Sequence, residues 1–451
     1  MINRMRGNSK AASTTPYRLS FKEMGEFRRD QMKKIDDLIM RFGRVAHVSM
    51  LGIPIYFISD PEIIREILIR HSTELQKDRF TKHMFKRFLG EGLVTAEGET
   101  WQQQRKLIQP IFHAAHLHEF VAVFVDQAQA MCRRWRVGDT IQLESEMMAL
   151  TLRIICRTMF GADIDGLVDK MGELLKVLIA EAQAQLNFGL PIPNWAPLPT
   201  YRRQNRAIQG LHELLLTLIH KRQAQLAHGE ATPSDLLTML LTAQYEDGRA
   251  MSDTQVLDEC MTIFFAGHET TAVGLTWAWV ELLQHPDILA RLQDEIQRVL
   301  DNRAICYADL SQLPYLNQVI KEVLRLHPPV AAFSRVVLEA FDVNEYHFAP
   351  GNTLVFSINT LHHQAEFYPN PACFDPDRFG AGRAVPDRYT YMPFGAGSRI
   401  CVGNAFAMLE MQIVLATMLQ SLQLSLVPDQ TFVPLQLITL RPRNGVKVQV
   451  H

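Results

Sequence analysis

One cysteine lies in a glycine-rich stretch directly before an apolar segment. Cys401 stands near the end of the run 391–403, and the residues that follow, 404–419, are rich in Ala, Leu and Met and contain neither Gly nor Pro. This pattern predicts a loop that delivers the cysteine to the start of a buried helix. There, backbone N–H groups and the helix dipole favour a negatively charged sulfur. A lone cysteine before a helix is more often a small buried hydrophobe, so the neighbouring pattern has to decide between the two.

A second candidate site lies in the middle of a long predicted helix. The pattern is helical from Asp253 until Pro286 stops it, and about thirty residues at about 1.5 Å each span roughly 45 Å. The helix is apolar on nearly all sides, but its midpoint, 266–271, reads Ala-Gly-His-Glu-Thr-Thr. A carboxylate buried there without a role is costly, and the glycine permits a ligand to approach the backbone closely. Glu269 and Thr270, a carboxylate beside a hydroxyl, are therefore candidates for a functional site.

Two arginine-containing patterns are ambiguous when each is taken alone. Trp101 and Arg105 are four residues apart, which puts an indole N–H and a guanidinium on one helix face. Glu322 and Arg325 form a Glu-x-x-Arg pattern, which recurs elsewhere in the chain and is most simply an exposed helix pair. Here the pair precedes a double proline and is followed by Arg378 in a Phe-Asp-Pro-Asp-Arg-Phe run.

The cysteine stretch resembles the haem-binding loop of the cytochrome P-450 family. The positions Phe394, Arg399, Cys401 and Gly403 fall in the family order Phe-Gly-x-Gly-x-Arg-x-Cys-x-Gly. The resemblance implies that the cysteine thiolate is the axial ligand of haem b iron, and that the thiolate favours O–O cleavage. His268 is a less suitable ligand, because the family places a variable residue there.

The helix midpoint is similar to the same family's oxygen-activation motif, Ala-Gly-x-acid-Thr. The resemblance implies that Thr270 stabilises activated oxygen and that Glu269 helps to relay protons from solvent. It also implies two further sets of residues. The haem contacts are Trp101, Arg105, Ala266, Arg335, Phe394 and Arg399, with an ordinary strand arginine as the alternative for Arg335. A structural triad, in which one carboxylate is shared between two guanidiniums, consists of Glu322, Arg325 and Arg378.

Apolar residues in three regions are candidates for a substrate pocket. Residues 77–92 are either a surface loop with a buried aromatic patch or the family's first substrate-recognition loop, and both interpretations stay open. Residues 187–195 separate two long predicted helices and resemble the family's mobile lid, although a plain interhelix loop needs no other explanation. The pocket residues implied by the resemblance are Phe80, Phe85, Phe188, Val330, Ala332, Phe333 and Leu437.

Composition gives information about partners and about the cellular compartment. Lys and Arg number 46 against 48 Asp and Glu, so nothing suggests a nucleic acid. The six cysteines are scattered without paired spacing, which indicates a reducing compartment, and we expect a cytoplasmic protein.

Residues 1–21 contain no apolar run, so neither a signal peptide nor a membrane anchor is predicted. Their basic character fits a short disordered tail or an organellar transit peptide.

The predicted fold is mainly α with small β-sheets, the cytochrome P-450 fold, with the haem between the long central helix and the cysteine-loop helix. We expect residues 1–20 to form a disordered tail and residues 21–451 a single haem domain, since Trp101 and Cys401 must meet at one haem. Locally, we expect a hairpin from strands 45–50 and 53–59, a helix from Asp60 to about Leu75, and a C-terminal hairpin over 436–450.

The predicted activity is that of a haem-thiolate monooxygenase. It uses O2 and two electrons to hydroxylate or epoxidise a lipophilic small molecule of terpenoid, fatty-acyl or polyketide type, as in secondary metabolism. The chain shows no Rossmann fingerprint and no cysteine cluster, so electrons come from a separate ferredoxin or flavodoxin with its NAD(P)H reductase. A basic face formed by Arg105, Lys106, Arg133 and Arg134 either docks that partner or is simply solvated. Two alternatives remain: a peroxide-driven peroxygenase or decarboxylase, and a haem-binding sensor without turnover.

Overall fold

The structure is a computed structural model that describes residues 15–164, 166–188, 199–383 and 386–451. Its helices, in chain order, are α1 (Phe21–Arg29), α2 (Gln31–Phe42), α3 (Pro61–Arg70), α4 (Arg79–Leu89), α5 (Gly98–Ile108), α6 (Ala114–Leu117), α7 (Val121–Cys132), α8 (Leu143–Phe160), α9 (Val168–Phe188), α10 (Pro199–Ala227), α11 (Leu236–Thr242), α12 (Asp253–Gln284), α13 (Pro286–Leu300), α14 (Pro314–Leu326), α15 (Ile358–His362) and α16 (Asn404–Ser421).

Short strands accompany these helices. They are β1 (Tyr17–Arg18), β2 (Val45–Met50), β3 (Ile53–Ile58), β4 (Leu75–Gln76), β5 (Thr140–Gln142), β6 (Ala332–Val337), β7 (Phe341–Val343), β8 (Tyr346–Phe348), β9 (Thr353–Ser357), β10 (Leu424–Leu426), β11 (Pro434–Gln436), β12 (Leu440–Pro442) and β13 (Lys447–Val450). The prediction of a mainly helical fold with small sheets is confirmed.

The backbone groups into two compact units. The first, here called the strand unit, comprises the described residues of 1–81, 331–371 and 386–400. It contains a six-stranded mixed sheet in the order β1-β2-β3-β9-β6-β4. The predicted hairpin of β2 and β3 is confirmed, with Val48 opposite Ile55. α3 is shorter than predicted, because Leu75 leaves the helical path and pairs with Val337 of β6.

The second unit, here called the helical unit, comprises the described residues of 82–330, 372–385 and 401–451. α12 runs through it with most of its side chains buried. The helix begins at a capping box in which the Ser252 side chain accepts from the Gln255 backbone, and its 32 residues make it about 48 Å long. Its predicted extent is confirmed.

The C-terminal segment differs from the single hairpin that was predicted. β11 and β12 form a short hairpin, in which Leu435 pairs with Arg441. β13 does not extend it but lies between β10 and β5 in a separate three-stranded sheet. A turn around Gly445, whose φ of +69° favours glycine, separates β12 from β13.

The predicted boundaries of tail and domain are only partly described. Residues 1–14 lie outside the described part, whereas Tyr17 and Arg18 form β1 and pair with Val48 and Ser49. The single haem domain over residues 21–451 stays a prediction. None of the helices in the described part of the chain is both long and apolar enough to cross a membrane.

In the helical unit, Glu322, Arg325 and Arg378 come together in a buried ionic cluster. Glu322 accepts two hydrogen bonds from Arg325, at 2.7 and 2.8 Å, and a third from Arg378 at 3.2 Å. It also accepts from the backbone N–H of Asp375 at 3.0 Å. Both members of the Glu322–Arg325 pair have fully buried side chains. The cluster therefore joins α14 to the segment that contains Arg378.

Removing the shared carboxylate should destabilise the protein strongly. We expect Glu322→Ala to lower the free energy of unfolding by about 3–5 kcal/mol, because it leaves a buried guanidinium without a counter-charge. Asp377→Ala is the matched control, since it breaks an arginine pair with Arg291 whose side chains are 54% and 48% exposed. We expect that loss to stay below about 1 kcal/mol. Equal losses in denaturant titrations would contradict the interpretation.

Candidate active site

The loop that precedes the cysteine is held by side chains from elsewhere in the strand unit. The buried ring of His362 accepts the Met392 backbone N–H at 2.9 Å through Nε2. Tyr368 donates its hydroxyl to the Thr390 carbonyl at 3.0 Å. Gly397 has a φ of +74°, and a Cβ there would lie 2.9 Å from the Leu68 carbonyl oxygen. This glycine is thus required by its backbone conformation and by packing against α3.

Cys401 lies just before α16, as predicted. Its side chain is accessible, yet enough protein surrounds the sulfur that burial raises the pKa of the thiol. Two neighbours act in the opposite direction: the Gly403 backbone N–H donates to the sulfur, and the Arg105 guanidinium contributes a positive charge. The sulfur therefore has two neighbours that stabilise a thiolate, an amide donor and a positive charge.

Arg105 belongs to α5 together with Trp101. Both side chains are half-buried, one helical turn apart. Burial lowers the pKa of Arg105, and the nearby Cys401 raises it. The guanidinium also donates through Nε to Gln109 at 3.0 Å. The structure thus brings Arg105 to the cysteine although the two lie far apart in the sequence.

Arg335 and Arg399, the other two predicted haem-contact arginines, line one pocket in the strand unit. Ser398, Gln76 and Ala396 also line this pocket. The Arg335 guanidinium donates to the Ser334 carbonyl at 2.7 Å. Two cations and a hydroxyl around one small space suit a carboxylate.

Phe394, the remaining predicted contact in this loop, is half-buried and lies within a turn in which the Gly395 N–H donates to the Met392 carbonyl.

The middle of α12 presents an accessible strip on an otherwise buried helix. Ala266 is exposed and Thr270, one turn later, is half-buried, whereas the residues at 261–265 and 271–282 are buried. Thr270 donates its hydroxyl to the Ala266 carbonyl at 2.8 Å. A Cβ at Gly267 would lie 3.1 Å from Ile155 of α8, so packing against α8 also favours glycine at this position. The accessible positions in this part of α12 are therefore Ala266 and Thr270.

Glu269 points to the C-terminal hairpin, which the sequence did not reveal. Its side chain is 2% exposed, and its Oε1 accepts from the Thr439 hydroxyl at 2.6 Å and from Arg441 Nη2 at 2.7 Å. Arg441 also donates through Nη1 to Glu144 of α8 at 3.3 Å. Burial of a carboxylate signals that a counter-charge is needed, but the sequence offers many arginines and gives no indication which one.

His268 is packed within its own helix. Its Nδ1 lies 3.0 Å from the Phe264 carbonyl oxygen, and burial lowers the pKa of the ring. Its own carbonyl accepts the Thr151 hydroxyl of α8 at 2.8 Å. These contacts make it part of the packing between α8 and α12.

The structure describes some of the predicted substrate residues and not others. Residues 79–89 form helix α4 and not the surface loop that was one interpretation. Phe85 is half-buried on α4, and its ring centroid lies 5.6 Å from that of Phe265, directly before Ala266. The sequence did not single out Phe265. The side chains of Phe80 and Phe188, and most of the predicted lid at 187–195, lie outside the described residues.

The other predicted pocket residues belong to both units. Leu437 is half-buried at the tip of the hairpin, and the next residue, Ile438, donates its N–H to Gln183 of α9 at 2.9 Å. Val330 is 39% exposed and precedes β6, where Ala332 and Phe333 are half-buried. Their common pocket stays a prediction.

Comparison with known sequences decides the family. The sequence model described as Cytochrome P450 matches residues 13–450, nearly the whole chain. The chain belongs to the cytochrome P450 family. It is thus a monooxygenase of a family that holds haem through a cysteine thiolate, uses O2 and redox partners, and binds lipophilic substrates.

Individual cytochromes P450 support this assignment. Cyclooctatin synthase of Streptomyces melanosporofaciens is 33% identical over 366 residues, which are 80% of this chain and 79% of that protein. The same organism's cyclooctat-9-en-7-ol 5-monooxygenase is 32% identical over 380 residues, 83% and 81% of the two chains. The solved structure of retinoic acid bound cyanobacterial CYP120A1 matches with a TM-score of 0.81 and 25% identity, and covers 92% of this chain and 93% of that one. The predicted fold is therefore confirmed.

A second buried carboxylate, on α16, gives a pH-dependent prediction. Glu410 is buried against α12, and burial raises its pKa well above the ordinary value, although the Thr271 hydroxyl hydrogen-bonds it and opposes the rise. Because the folded-state pKa is raised, the wild type loses stability as the pH rises from about 4.3 toward that value, by about 1.4 kcal/mol per pH unit. Glu410→Gln lacks this loss.

We therefore expect the variant to gain on the wild type as the pH increases. Free energies of unfolding measured from about pH 5 to about pH 9 should show a difference that grows with pH. A constant difference across the range would show that Glu410 is ionised in the folded protein.

Proposed function

We propose that this cytochrome P450 inserts one atom of O2 into a terpenoid-like lipophilic molecule, with Cys401 as the haem-iron ligand. The observation that carries the proposal is the accessible strip of Ala266 and Thr270 in the middle of buried α12. A hydroxyl that a buried helix leaves accessible next to a buried carboxylate is suited to the handling of protons.

The residues present fit a haem. The Cys401 sulfur has an amide donor in Gly403 and a cation in Arg105, and the pocket of Arg335 and Arg399 suits a propionate. Trp101, with an indole N–H one turn from Arg105, is a further propionate donor, and Phe394 is an apolar contact for the ring. We propose that the haem is haem b. When bound, its iron activates O2, and its positive charge keeps the cysteine deprotonated.

The chain supplies the proton chemistry through two neighbouring residues. Thr270 uses its hydroxyl hydrogen on the Ala266 carbonyl, so its oxygen accepts a hydrogen bond from a group beside the strip. Glu269 Oε2 has no hydrogen-bond partner among the described residues, whereas Oε1 is engaged by Thr439 and Arg441. Oε2 is therefore the atom on which a proton from solvent is held before it moves toward Thr270.

The substrate class follows from the apolar surroundings and from the relatives. Phe85, Phe88 and Phe265 form an aromatic cluster, with centroids 5.1 to 5.6 Å apart, beside Ala266. The relatives are named for cyclooctat-9-en-7-ol and for 11-oxo-beta-amyrin, and the solved neighbour binds retinoic acid. These names favour a terpenoid-like molecule over the fatty-acyl or polyketide alternatives. A role in secondary metabolism belongs to this proposal, and a cytoplasmic location stays a prediction.

Electrons come from a ferredoxin or flavodoxin with its NAD(P)H reductase in this proposal. The structure weakens the suggested basic docking face. Lys106 pairs with Glu246 at 3.1 Å and Arg134 with Glu146 at 3.0 Å, while Arg105 lies near Cys401. Paired arginines and lysines attract an acidic partner less, which lowers the expected contribution of Lys106 and Arg134 to such a docking face.

The proposed use of Thr270 can be tested by coupling of electron use to product. The assay uses a surrogate ferredoxin system and a substrate identified by its spin-state shift. We expect Thr270→Val to lower the amount of product formed per NAD(P)H consumed at least about tenfold, and hydrogen peroxide to form in place of the product. Thr276→Val is the matched control, because Thr276 makes the same 2.8 Å bond to a carbonyl one turn back but is fully buried.

Two outcomes would overturn the monooxygenase proposal. Turnover supported by hydrogen peroxide, unchanged in Thr270→Val and indifferent to the reductase, would indicate the peroxygenase or decarboxylase alternative. Tight haem binding with ligand-dependent partner association, and without oxidation of any bound compound, would indicate a sensor.

A further inference from the structure

The α4–α5 loop, residues 90–97, is bound to the first third of α12 by two acids. The Glu91 backbone N–H donates to Oδ2 of the half-buried Asp258 at 2.8 Å. The Leu93 backbone N–H donates to Oε2 of Glu259, which is fully buried, at 3.0 Å. Two consecutive residues of the helix therefore bind two backbone donors of one loop, and these hydrogen bonds fix the loop to α12.

Two glycines allow the loop to approach α12 closely. Gly90 has a φ of +57°, and a Cβ there would lie 2.1 Å from Oδ1 of Asp258. A Cβ at Gly92 would lie 2.1 Å from Oγ1 of Thr262 and 2.6 Å from the Asp258 carbonyl oxygen. These distances are too short for a carbon atom, so a side chain at either position would push the loop away from the helix.

The loop continues directly from the part of α4 that carries the aromatic cluster. The Gly90 backbone N–H donates to the Lys86 carbonyl at 3.1 Å, which joins the loop to the last turn of α4. Phe85 and Phe88 lie in the same last turns, and their ring centroids are 5.6 and 5.1 Å from that of Phe265. The position of the loop therefore sets where these two rings lie against α12.

The loop contacts and the accessible strip of Ala266 and Thr270 share one face of α12. Asp258 and Thr262 precede Ala266 at four-residue intervals, so the three lie on the same side of the helix. A rise of about 1.5 Å per residue places Asp258 roughly 12 Å from Ala266 along the axis. This face therefore binds the loop at one end and is accessible at the other.

We propose that Asp258 is a positioning residue for the substrate: by holding the α4–α5 loop, it fixes the aromatic cluster relative to Ala266 and so determines which carbon of the bound molecule is oxidised. This rests on the function proposed above. Asp258 acts through the Glu91 backbone, on the α4 side of the loop, whereas Glu259 holds the part that leads to α5. A misplacement of about 1 Å at a reacting group is enough to change a rate strongly.

Substrate affinity and the pattern of products test this role. The probe is the terpenoid with the largest spin-state shift in a screen that includes retinoic acid, which the solved relative binds. We expect Asp258→Ala to raise the Kd and the KM of this probe about three- to tenfold, and to add products oxidised at neighbouring carbons. Asp258→Asn keeps an oxygen acceptor for the Glu91 N–H, so we expect it to restore the wild-type affinity and products.

Two further variants separate the loop from the helix as a whole. Asp253→Ala is the matched control, because Asp253 begins the same helix but accepts from Gln223 of α10 at 2.7 Å. We expect it to change neither affinity nor products. Gly92→Ala displaces the loop while Asp258 stays in place, and it should reproduce the products of Asp258→Ala. If Asp258→Ala does not fold, Gly92→Ala decides the question.

Three results would overturn the proposal. The first is unchanged affinity and products in Asp258→Ala and Gly92→Ala, with both proteins folded. The second is the same change in Asp253→Ala as in Asp258→Ala. The third is a loss of haem from Asp258→Ala with unchanged products, because the effect would then act through α5 and not through the aromatic cluster.

This proposal and the proposed function can fail separately. Weaker binding and altered products in Asp258→Ala, together with peroxide-supported turnover that needs no reductase, would retain the positioning residue and remove the monooxygenase function. Unchanged binding and products in Asp258→Ala and Gly92→Ala, together with the expected uncoupling in Thr270→Val, would do the reverse.

Discussion

Buried carboxylates on α12 determine where other segments of the helical unit lie. A buried carboxyl group needs a hydrogen-bond partner or a cation, and α12 carries three buried glutamates along its length. Glu259 accepts the Leu93 backbone N–H, Glu269 binds Thr439 and Arg441, and Glu281 binds His327 at 2.6 Å. The segment before α5, the C-terminal hairpin and the end of α14 are each fixed to a different turn of the same helix.

The need for a partner at each buried carboxylate also explains how the fold supports the chemistry. Because Glu269 is neutralised from the hairpin side, α12 can leave Ala266 and Thr270 accessible without a free charge beside them. Cys401 follows a similar rule, with an amide donor and a cation close to its sulfur. At both positions, neighbouring donors and cations compensate the charge locally.

The sequence predicted the long elements and the ordered motifs, and it missed most of their partners. The extent of α12 follows from a capping box and a proline, which act locally. The predicted end of α3 and the predicted single C-terminal hairpin were wrong. Strand pairings with residues far away in the sequence decide both: Leu75 pairs with Val337, and β13 pairs with β5 and β10. The contacts of Gly397 with Leu68 and of Gly267 with Ile155, which favour glycine at both positions, could not be predicted. Such reasons are tertiary contacts, and one sequence does not contain them.

The proposed chemistry depends most on Cys401 as the iron ligand, and the absorption spectrum of the dithionite-reduced protein under carbon monoxide tests that role directly. We expect the wild type to show a Soret band shifted far to the red, the signature of a thiolate ligand, and Cys401→Ser to lose it while haem is retained or released. A histidine-type Soret band in the wild type, unchanged in Cys401→Ser, would contradict the account, because the cysteine would then not bind the iron.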